Sequence, residues 1–124
     1  MILDACFLID LLAEDAGAVA KLDEINDELL VVPTLVYTEV AIGLDPTTST
    51  GQQFDDILDD IPLVPYDSEA ARRAVDIQRD LAQNGEQIGA VDVVIAGIAV
   101  ARDDPIVTRN ASEFTRTPVR VTPY

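Results

Sequence analysis

The sequence predicts an α/β fold, a three-layer α/β/α sandwich built on a short-stranded, mainly parallel sheet. Short apolar runs alternate along the chain with longer segments in which apolar residues recur every three or four positions. This alternation is typical of strands connected by amphipathic helices. The chain has 124 residues, 48% of them hydrophobic, which is enough for one core. We therefore expect one domain over residues 1–124.

The predicted strands and helices alternate from one end of the chain to the other. Strands are predicted at residues 1–3, 29–32, 63–64, 106–108 and 119–121. Helices are predicted at residues 5–13, 15–26, 34–42, 53–60, 68–84, 88–102 and 110–114. Residues 45–52 are rich in Pro, Thr, Ser and Gly and are predicted to form a loop.

Several helix ends carry residues that commonly cap helices. Asp15 and Thr34 stand at the starts of the second and third helices, where a side-chain oxygen can accept unsatisfied backbone N–H groups. Gly43 and Gly85 stand where the third and fifth helices are predicted to end. In a parallel sheet covered by helices, ligand sites form outside the carboxyl ends of the strands. That edge is where we expect the chemistry.

The composition excludes several classes of site and of protein. The chain has no histidine, which excludes Ser-His-Asp triads and histidine-ligated zinc. Its single cysteine, Cys6, excludes an internal disulfide and a cysteine zinc site. No signal-peptide pattern is present, and the longest apolar stretch, Ile88–Ala101, is interrupted by Asp92. We therefore expect a cytoplasmic protein that makes no contact with a membrane.

The net charge of −15 is large for a chain of this size, with 23 acidic and eight basic residues. The only lysine is Lys21. Such an acidic, lysine-poor composition resembles that of proteins from salt-loving organisms, and it disfavours nucleic-acid binding through a basic patch. Concentrated salt would weaken the repulsion of RNA, because the Debye length falls to about 3 Å at roughly 1 M salt. The charge also favours a basic protein partner.

Several polar side chains stand in or beside apolar segments. Asp4 follows the first predicted strand, whereas Asn110 and Glu113 follow the fourth, so we expect them at one edge of the sheet. Glu39 and Asp92 interrupt apolar helix faces. Clustered carboxylates repel one another unless a cation neutralises them, and no basic residue adjoins Asp4, Glu39 or Asp92 in sequence. Oxygen ligands favour Mg²⁺ or Mn²⁺.

Each of these residues also has a purely structural interpretation. Asp4 or Asp92 would then be the N-cap of a helix. Asn110 and Glu113 have the spacing of a capping box, and Glu39 would be partly exposed or paired with an arginine. These interpretations stand beside the metal site as alternatives.

Four other side chains are predicted to have simpler roles. Asp10 is typical of a solvated helix position, and Cys6 of a small core residue. Arg109 and Arg116 are candidates for contact with an RNA backbone, with solvation at the surface as the alternative.

The motifs occur in a characteristic order and spacing along almost the whole chain. They are Met1-Ile2-Leu3-Asp4 with Phe7–Leu12, Val36–Val40 with Gly43-Leu44, Arg79–Gly85 with Ile88–Ala96, and Val107–Asn110 with Glu113-Phe114. In this order they resemble the PIN-domain family, and within it the VapC-like toxins of toxin–antitoxin pairs. One departure is Ala5, because the family usually has Ser or Thr directly after the first aspartate.

The resemblance implies a PIN-type fold and a Mg²⁺- or Mn²⁺-dependent endoribonuclease that is the toxin of a type II pair. Asp4, Glu39 and Asp92 fall on the family's metal-binding acids, and Asn110 with Glu113 on its fourth acidic position. These four acids are the expected catalytic residues, with Asn110 as a further metal ligand. The resemblance also implies an RNA substrate, a cognate antitoxin and a homodimer.

Three other functions compete with this one. A phosphoacceptor receiver domain needs a lysine after its fifth strand, and Lys21 is too early in the chain. A catalytically silent PIN-like binding module is kept as an alternative because of Ala5. A PIN nuclease of RNA processing is also kept, although no appended RNA-binding domain accompanies this chain.

Overall fold

The computed structural model describes residues 1–124 and contains five short strands and seven helices. The strands are β1 (Ile2–Leu3), β2 (Val32–Pro33), β3 (Leu63–Val64), β4 (Ile106–Val107) and β5 (Val121–Thr122). The helices are α1 (Ala5–Leu12), α2 (Ala16–Ile25), α3 (Thr34–Ile42), α4 (Ser49–Leu58), α5 (Ser68–Asn84), α6 (Ala90–Arg102) and α7 (Ala111–Phe114). The predicted alternation of strands and helices is confirmed.

All strand pairs are parallel, as predicted. β1 pairs with β4, β4 pairs with β5, and β2 pairs with β3. A bridge between Ile2 and Val31 joins the two groups, and Leu3 N donates to Val31 O at 3.0 Å. The resulting order is β3-β2-β1-β4-β5, with β1 in the middle. The carboxyl ends of all five strands therefore meet at one edge.

One apolar core holds the helices against the sheet. It contains 27 buried hydrophobic residues, mostly Ile, Leu, Val and Ala, together with three phenylalanines. The long helices α5 and α6 pack very closely at Gly97. A Cβ atom at Gly97 would lie 2.5 Å from the carbonyl oxygen of Ala70 and 2.8 Å from Cβ of Ala74. No helix is both long and apolar enough to cross a membrane.

The starts of α3 and α4 differ from the prediction. Thr34 was expected to cap α3, but it is the first helical residue, and Pro33 holds the cap position without a side-chain hydrogen bond. The reason is that β2 runs directly into α3, so the extended backbone of Pro33 serves both elements. The expected loop at residues 45–52 is also shorter, because α4 begins at Ser49 with the Thr48 hydroxyl accepting from Gly51 N at 3.1 Å.

Other boundaries move by a few residues. The sixth helix begins at Ala90 rather than at residue 88, because Gly89 has an extended backbone and takes the cap position. Asp92 is thus the third residue of α6, and the alternative that it caps the helix is wrong. The last strand lies at Val121–Thr122 instead of residues 119–121. The predicted stop at Gly85 is confirmed, with φ at 67° in the left-handed region that glycine favours.

Gly97→Ala should destabilise the protein by about 1–3 kcal/mol, because the added methyl group meets the backbone of α5 and forces the two helices apart. Urea unfolding followed by circular dichroism measures the change. Gly43→Ala is the matched control, since its nearest contact would be an ordinary 3.6 Å. Equal stability of the two variants would contradict this account of the α5–α6 contact.

Candidate active site

A polar cleft of about 370 Å³ opens at the carboxyl ends of β1 and β4. Four of the five predicted site residues line it, namely Asp4, Glu39, Asp92 and Asn110. The fifth, Glu113, shares a hydrogen bond with the side chain of Asp92. Side chains from β1, α3, α6 and the β4–α7 segment are therefore brought together at the edge where parallel strands end, as the topology requires.

Asp4 is both a helix cap and a residue of the cleft. Its side chain is buried, with only 4% of the residue exposed. The Oδ1 atom accepts from Ala5 N at 2.9 Å, whereas Oδ2 accepts from the Thr108 hydroxyl at 2.7 Å. Hydrogen bonds from both sides fix the carboxylate in one orientation. The structural and functional interpretations of Asp4 therefore do not exclude each other.

Thr108 is a residue of the site that sequence reasoning did not single out. It is completely buried just after β4, donates to Asp4 and accepts from Asn110 N at 3.0 Å. Its hydroxyl therefore links two of the predicted site residues. It also gives Asp4 a hydroxyl partner although Ala5 has none. The available signal was a threonine directly after an apolar strand, within the motif Val107–Asn110.

Asp92 is the most strongly perturbed acid of the site. Its pKa rises from 3.8 to about 7, chiefly because burial disfavours the charged form. The hydrogen bond with Glu113 and the negative charges of Asp4, Glu113 and Glu39 raise the pKa further. None of the ion pairs in the chain includes any of these four acids. Asp92 is therefore partly protonated near neutral pH.

The two other polar residues of the site are more exposed. Asn110 holds the cap position of α7, but its side chain makes no capping hydrogen bond, so the capping-box alternative is wrong. Its side chain instead lines the cleft. Glu39 is exposed on α3 and pairs with no arginine. It lines both the polar cleft and a neighbouring apolar groove of about 390 Å³ between α1, α3 and the start of α4.

The chemistry of the donors fits a hard divalent cation that keeps part of its water shell. Four carboxylates and one amide oxygen surround the cleft, and Arg109 is the only cationic side chain that lines it. No group of three or more His, Cys, Asp or Glu side chains is close enough to hold a metal ion unaided. Mg²⁺ commonly binds through one or two carboxylates and several waters, so it does not need such a closed group.

Expectations for the remaining side chains near the cleft are partly corrected. Asp10 is not solvated, because its side chain is 13% exposed and accepts hydrogen bonds from Arg109 and Tyr124. Cys6 is half-buried at the rim of the cleft rather than in the core, with Sγ 3.6 Å from Oδ2 of Asp4. Arg116 donates to the carbonyl of Gln87 at 3.2 Å. The contacts of Asp10 join segments about a hundred residues apart in sequence, which local patterns do not reveal.

A family model described as the PIN domain matches residues 1–119. Among curated proteins, the tRNA(fMet)-specific endonuclease VapC of Shigella flexneri is 26% identical over 117 residues, which cover 92% of this chain and 89% of the relative. The protein of the same name from Salmonella typhimurium is 26% identical over 97 residues, which cover 76% of this chain and 74% of the relative.

Solved structures show the same fold. VapBC2 from Rickettsia felis, bound to a DNA fragment from its promoter, matches with a TM-score of 0.85 and 19% identity over 99% of this chain and 97% of that one. DNA-bound VapBC from Salmonella typhimurium matches with a TM-score of 0.80 and 23% identity, covering 98% and 96%.

Asp92→Asn should stabilise the metal-free protein at pH 8 by about 1 kcal/mol, a value reduced for the solvent screening of a half-exposed group. The folded-state pKa lies above the unfolded value, so the wild type loses stability as pH rises from about 4 to about 7. The gain should therefore be smaller at pH 5. Thermal unfolding in the presence of a chelator measures the gain in stability, and Asp60→Asn, at an exposed position before β3, is the control. A gain in stability that does not depend on pH would contradict the raised pKa of Asp92.

Thr108→Val should cost about 1–3 kcal/mol, because it leaves a buried oxygen of Asp4 and the N–H of Asn110 without their partner. The shape of the side chain is kept, so a packing defect does not explain a loss. Denaturant unfolding provides the measurement, and Thr115→Val, at the exposed position directly after α7, is the control. Unchanged stability of Thr108→Val would show that the hydroxyl does not hold Asp4.

Proposed function

Because this chain belongs to the PIN-domain family, we propose that it is a Mg²⁺- or Mn²⁺-dependent endoribonuclease and the toxin of a type II toxin–antitoxin pair. The observation that supports this most is the group of four acids, Asp4, Glu39, Asp92 and Glu113, around one cleft without an ion-pair partner. The names of the VapC relatives describe endonucleases that act on a tRNA, which supports RNA as the substrate.

We propose the following roles for the residues. Asp4 and Asp92 hold the cation, with Glu113 and Asn110 completing the site from the β4–α7 segment and Glu39 from α3. When bound, a divalent cation activates water for attack on the phosphate and stabilises the leaving oxygen. Asp4 is oriented for this by Ala5 N and by Thr108. Asp92 can take up or release a proton near neutral pH, because its pKa is about 7.

The charge of the chain sets the conditions for binding RNA. A net charge of −15 repels a polyanion at low ionic strength. High salt shortens the Debye length to about 3 Å at roughly 1 M, so little repulsion acts beyond direct contact. We therefore propose that the enzyme acts in a salt-rich cytoplasm, with cations at the acidic cleft compensating its charge.

We also propose a basic antitoxin as partner and a homodimer as the assembly. Two solved VapBC structures of the same fold are described as bound to DNA, and a third structure is described as a toxin–antitoxin complex from Klebsiella pneumoniae. The apolar groove adjoins the acidic cleft, and Ile9 and Glu39 line both of them. A segment with apolar side chains and an arginine fits this combination, because an arginine at the carboxylates would replace the charge of the cation.

A catalytically silent PIN-like binding module is the second candidate. Ala5 stands where the family usually has a hydroxyl, which favours this candidate. The hydrogen bond from Thr108 to Asp4 counts against it, since that carboxylate still has a hydroxyl partner.

Cleavage of a labelled structured RNA in high salt, with Mg²⁺, with Mn²⁺ and with chelator, tests the proposal. We expect cleavage only with the cation, and a loss of more than about 100-fold in Asp92→Asn, because ligand changes exceed the losses of outer contacts. Asp60→Asn should cleave like the wild type. Cleavage in chelator would contradict the metal mechanism. No cleavage of several RNAs by the wild type, with activity restored by Ala5→Thr, would favour the silent module.

A further inference from the structure

Asp10 lies at the centre of a hydrogen-bond network beside the cleft. Nη1 of Arg109 donates to both of its carboxylate oxygens, at 3.1 and 2.8 Å, and the Tyr124 hydroxyl donates to Oδ2 at 2.7 Å. Burial and the carboxylate raise the pKa of Tyr124, so its hydroxyl stays protonated and remains a donor. Asp10 therefore joins α1 to two segments that follow it by about a hundred residues in sequence.

Tyr124 is itself held in place by α1. Its ring packs edge-on against Phe7, with the ring centroids 5.0 Å apart and the planes at 70°. Phe7 and Asp10 are three residues apart on α1, so one face of the helix carries both the aromatic contact and the hydrogen-bond acceptor. Tyr124 therefore helps to hold the carboxylate of Asp10 in the orientation in which Arg109 contacts it.

Backbone hydrogen bonds connect Arg109 and its neighbour Asn110 to the predicted site. Arg109 N donates to Sγ of Cys6 at 3.4 Å, and Asn110 N donates to the Thr108 hydroxyl that holds Asp4. Asn110 begins α7, whose residue Glu113 shares the hydrogen bond with Asp92. Asp10 is the only hydrogen-bond partner of the Arg109 guanidinium, and together with the contact to Cys6 this ion pair links the turn to α1.

We propose that Asp10, held between Tyr124 and Arg109, is a positioning residue that fixes the turn after β4 and so places Asn110 and Glu113 at the cleft. The expected effect on RNA cleavage rests on the proposed function, whereas the expected effect on the structure of the turn does not. One member of the ion pair is 62% exposed, so the pair contributes little to global stability. Its effect is local, on four or five residues of the turn.

A different role for Arg109 is direct contact with a phosphate of RNA. Its Nη2 and Nε atoms make no hydrogen bond within the protein, and the residue lines the cleft. The pairing of Nη1 with a largely buried carboxylate favours positioning, because the charge of the guanidinium is already compensated. The two roles differ in their kinetic effects, since positioning changes kcat whereas a phosphate contact changes KM.

Hydrogen exchange of the metal-free protein tests the positioning role without reference to activity. In Asp10→Asn and in Tyr124→Phe, the amides of residues 110–114 should exchange several-fold faster than in the wild type, with the core unchanged. Asp104→Asn is the matched control, because it breaks another arginine pair, to Arg102 at 3.1 Å, remote from the cleft. Unchanged exchange at residues 110–114 in both variants would overturn the proposal, whether or not the protein cleaves RNA.

Steady-state kinetics on the cleaved RNA then test the consequence. Asp10→Asn, Tyr124→Phe and Arg109→Gln should lower kcat by about 10- to 100-fold with KM within about twofold, because small displacements of site groups have effects of this size. The double variant with Asp10→Asn and Arg109→Gln should have a kcat no lower than that of the more impaired single variant. If KM rises in Arg109→Gln while Asp10→Asn has the kinetics of the wild type, the positioning role is overturned and Arg109 is assigned to contact with an RNA phosphate. A wild type that does not cleave contradicts the proposed function, and the exchange result then decides on positioning by itself.

Discussion

Mutual repulsion among carboxylates is the interaction around which this cleft is arranged. Burial contributes most to the rise of the pKa of Asp92 to about 7, and the negative charges of Asp4, Glu113 and Glu39 raise it further. The chain offsets part of this repulsion locally. Asp4 accepts hydrogen bonds from Ala5 N and the Thr108 hydroxyl, and Asp92 lies in the first turn of α6, where the helix dipole favours an anion. The raised pKa of Asp92 also leaves part of its population uncharged near neutral pH. A cation would remove the repulsion that remains.

The fold keeps the acidic side chains of the cleft close together although they repel one another. β1 and β4 are neighbours in the middle of a parallel sheet, so Asp4 and Thr108, the residues that follow them, meet at the same edge. Asp92 is placed by α6, which is fixed against α5 through the close contact at Gly97. The acids are thus anchored to elements of the core and do not move apart freely. This rigidity explains why the pKa of Asp92 shifts instead.

Much of the fold and most of the cleft could be predicted from the sequence, because both depend on local patterns. Apolar periodicity gave the element order, and parallel topology placed Asp4 and Asn110 at one edge, where the structure has them. Helix starts were less accurate, because threonine and serine suit loops, caps and first turns alike. The contacts of Asp10 and Thr108 were missed because their partners lie about a hundred residues away. The catalytic roles of the acids stay predictions.

The pH dependence of Mn²⁺ binding tests the central claim most directly. If the cation neutralises the acidic cleft, its binding must displace the proton of Asp92. Calorimetric titration of the wild type should therefore show an affinity that rises by up to about tenfold per pH unit below pH 7 and levels off above it, with release of a proton. Asp92→Asn should bind weakly at every pH. An affinity that does not change between pH 5.5 and 8 would contradict the account, because Asp92, whose pKa is raised, would then not be a ligand of the cation.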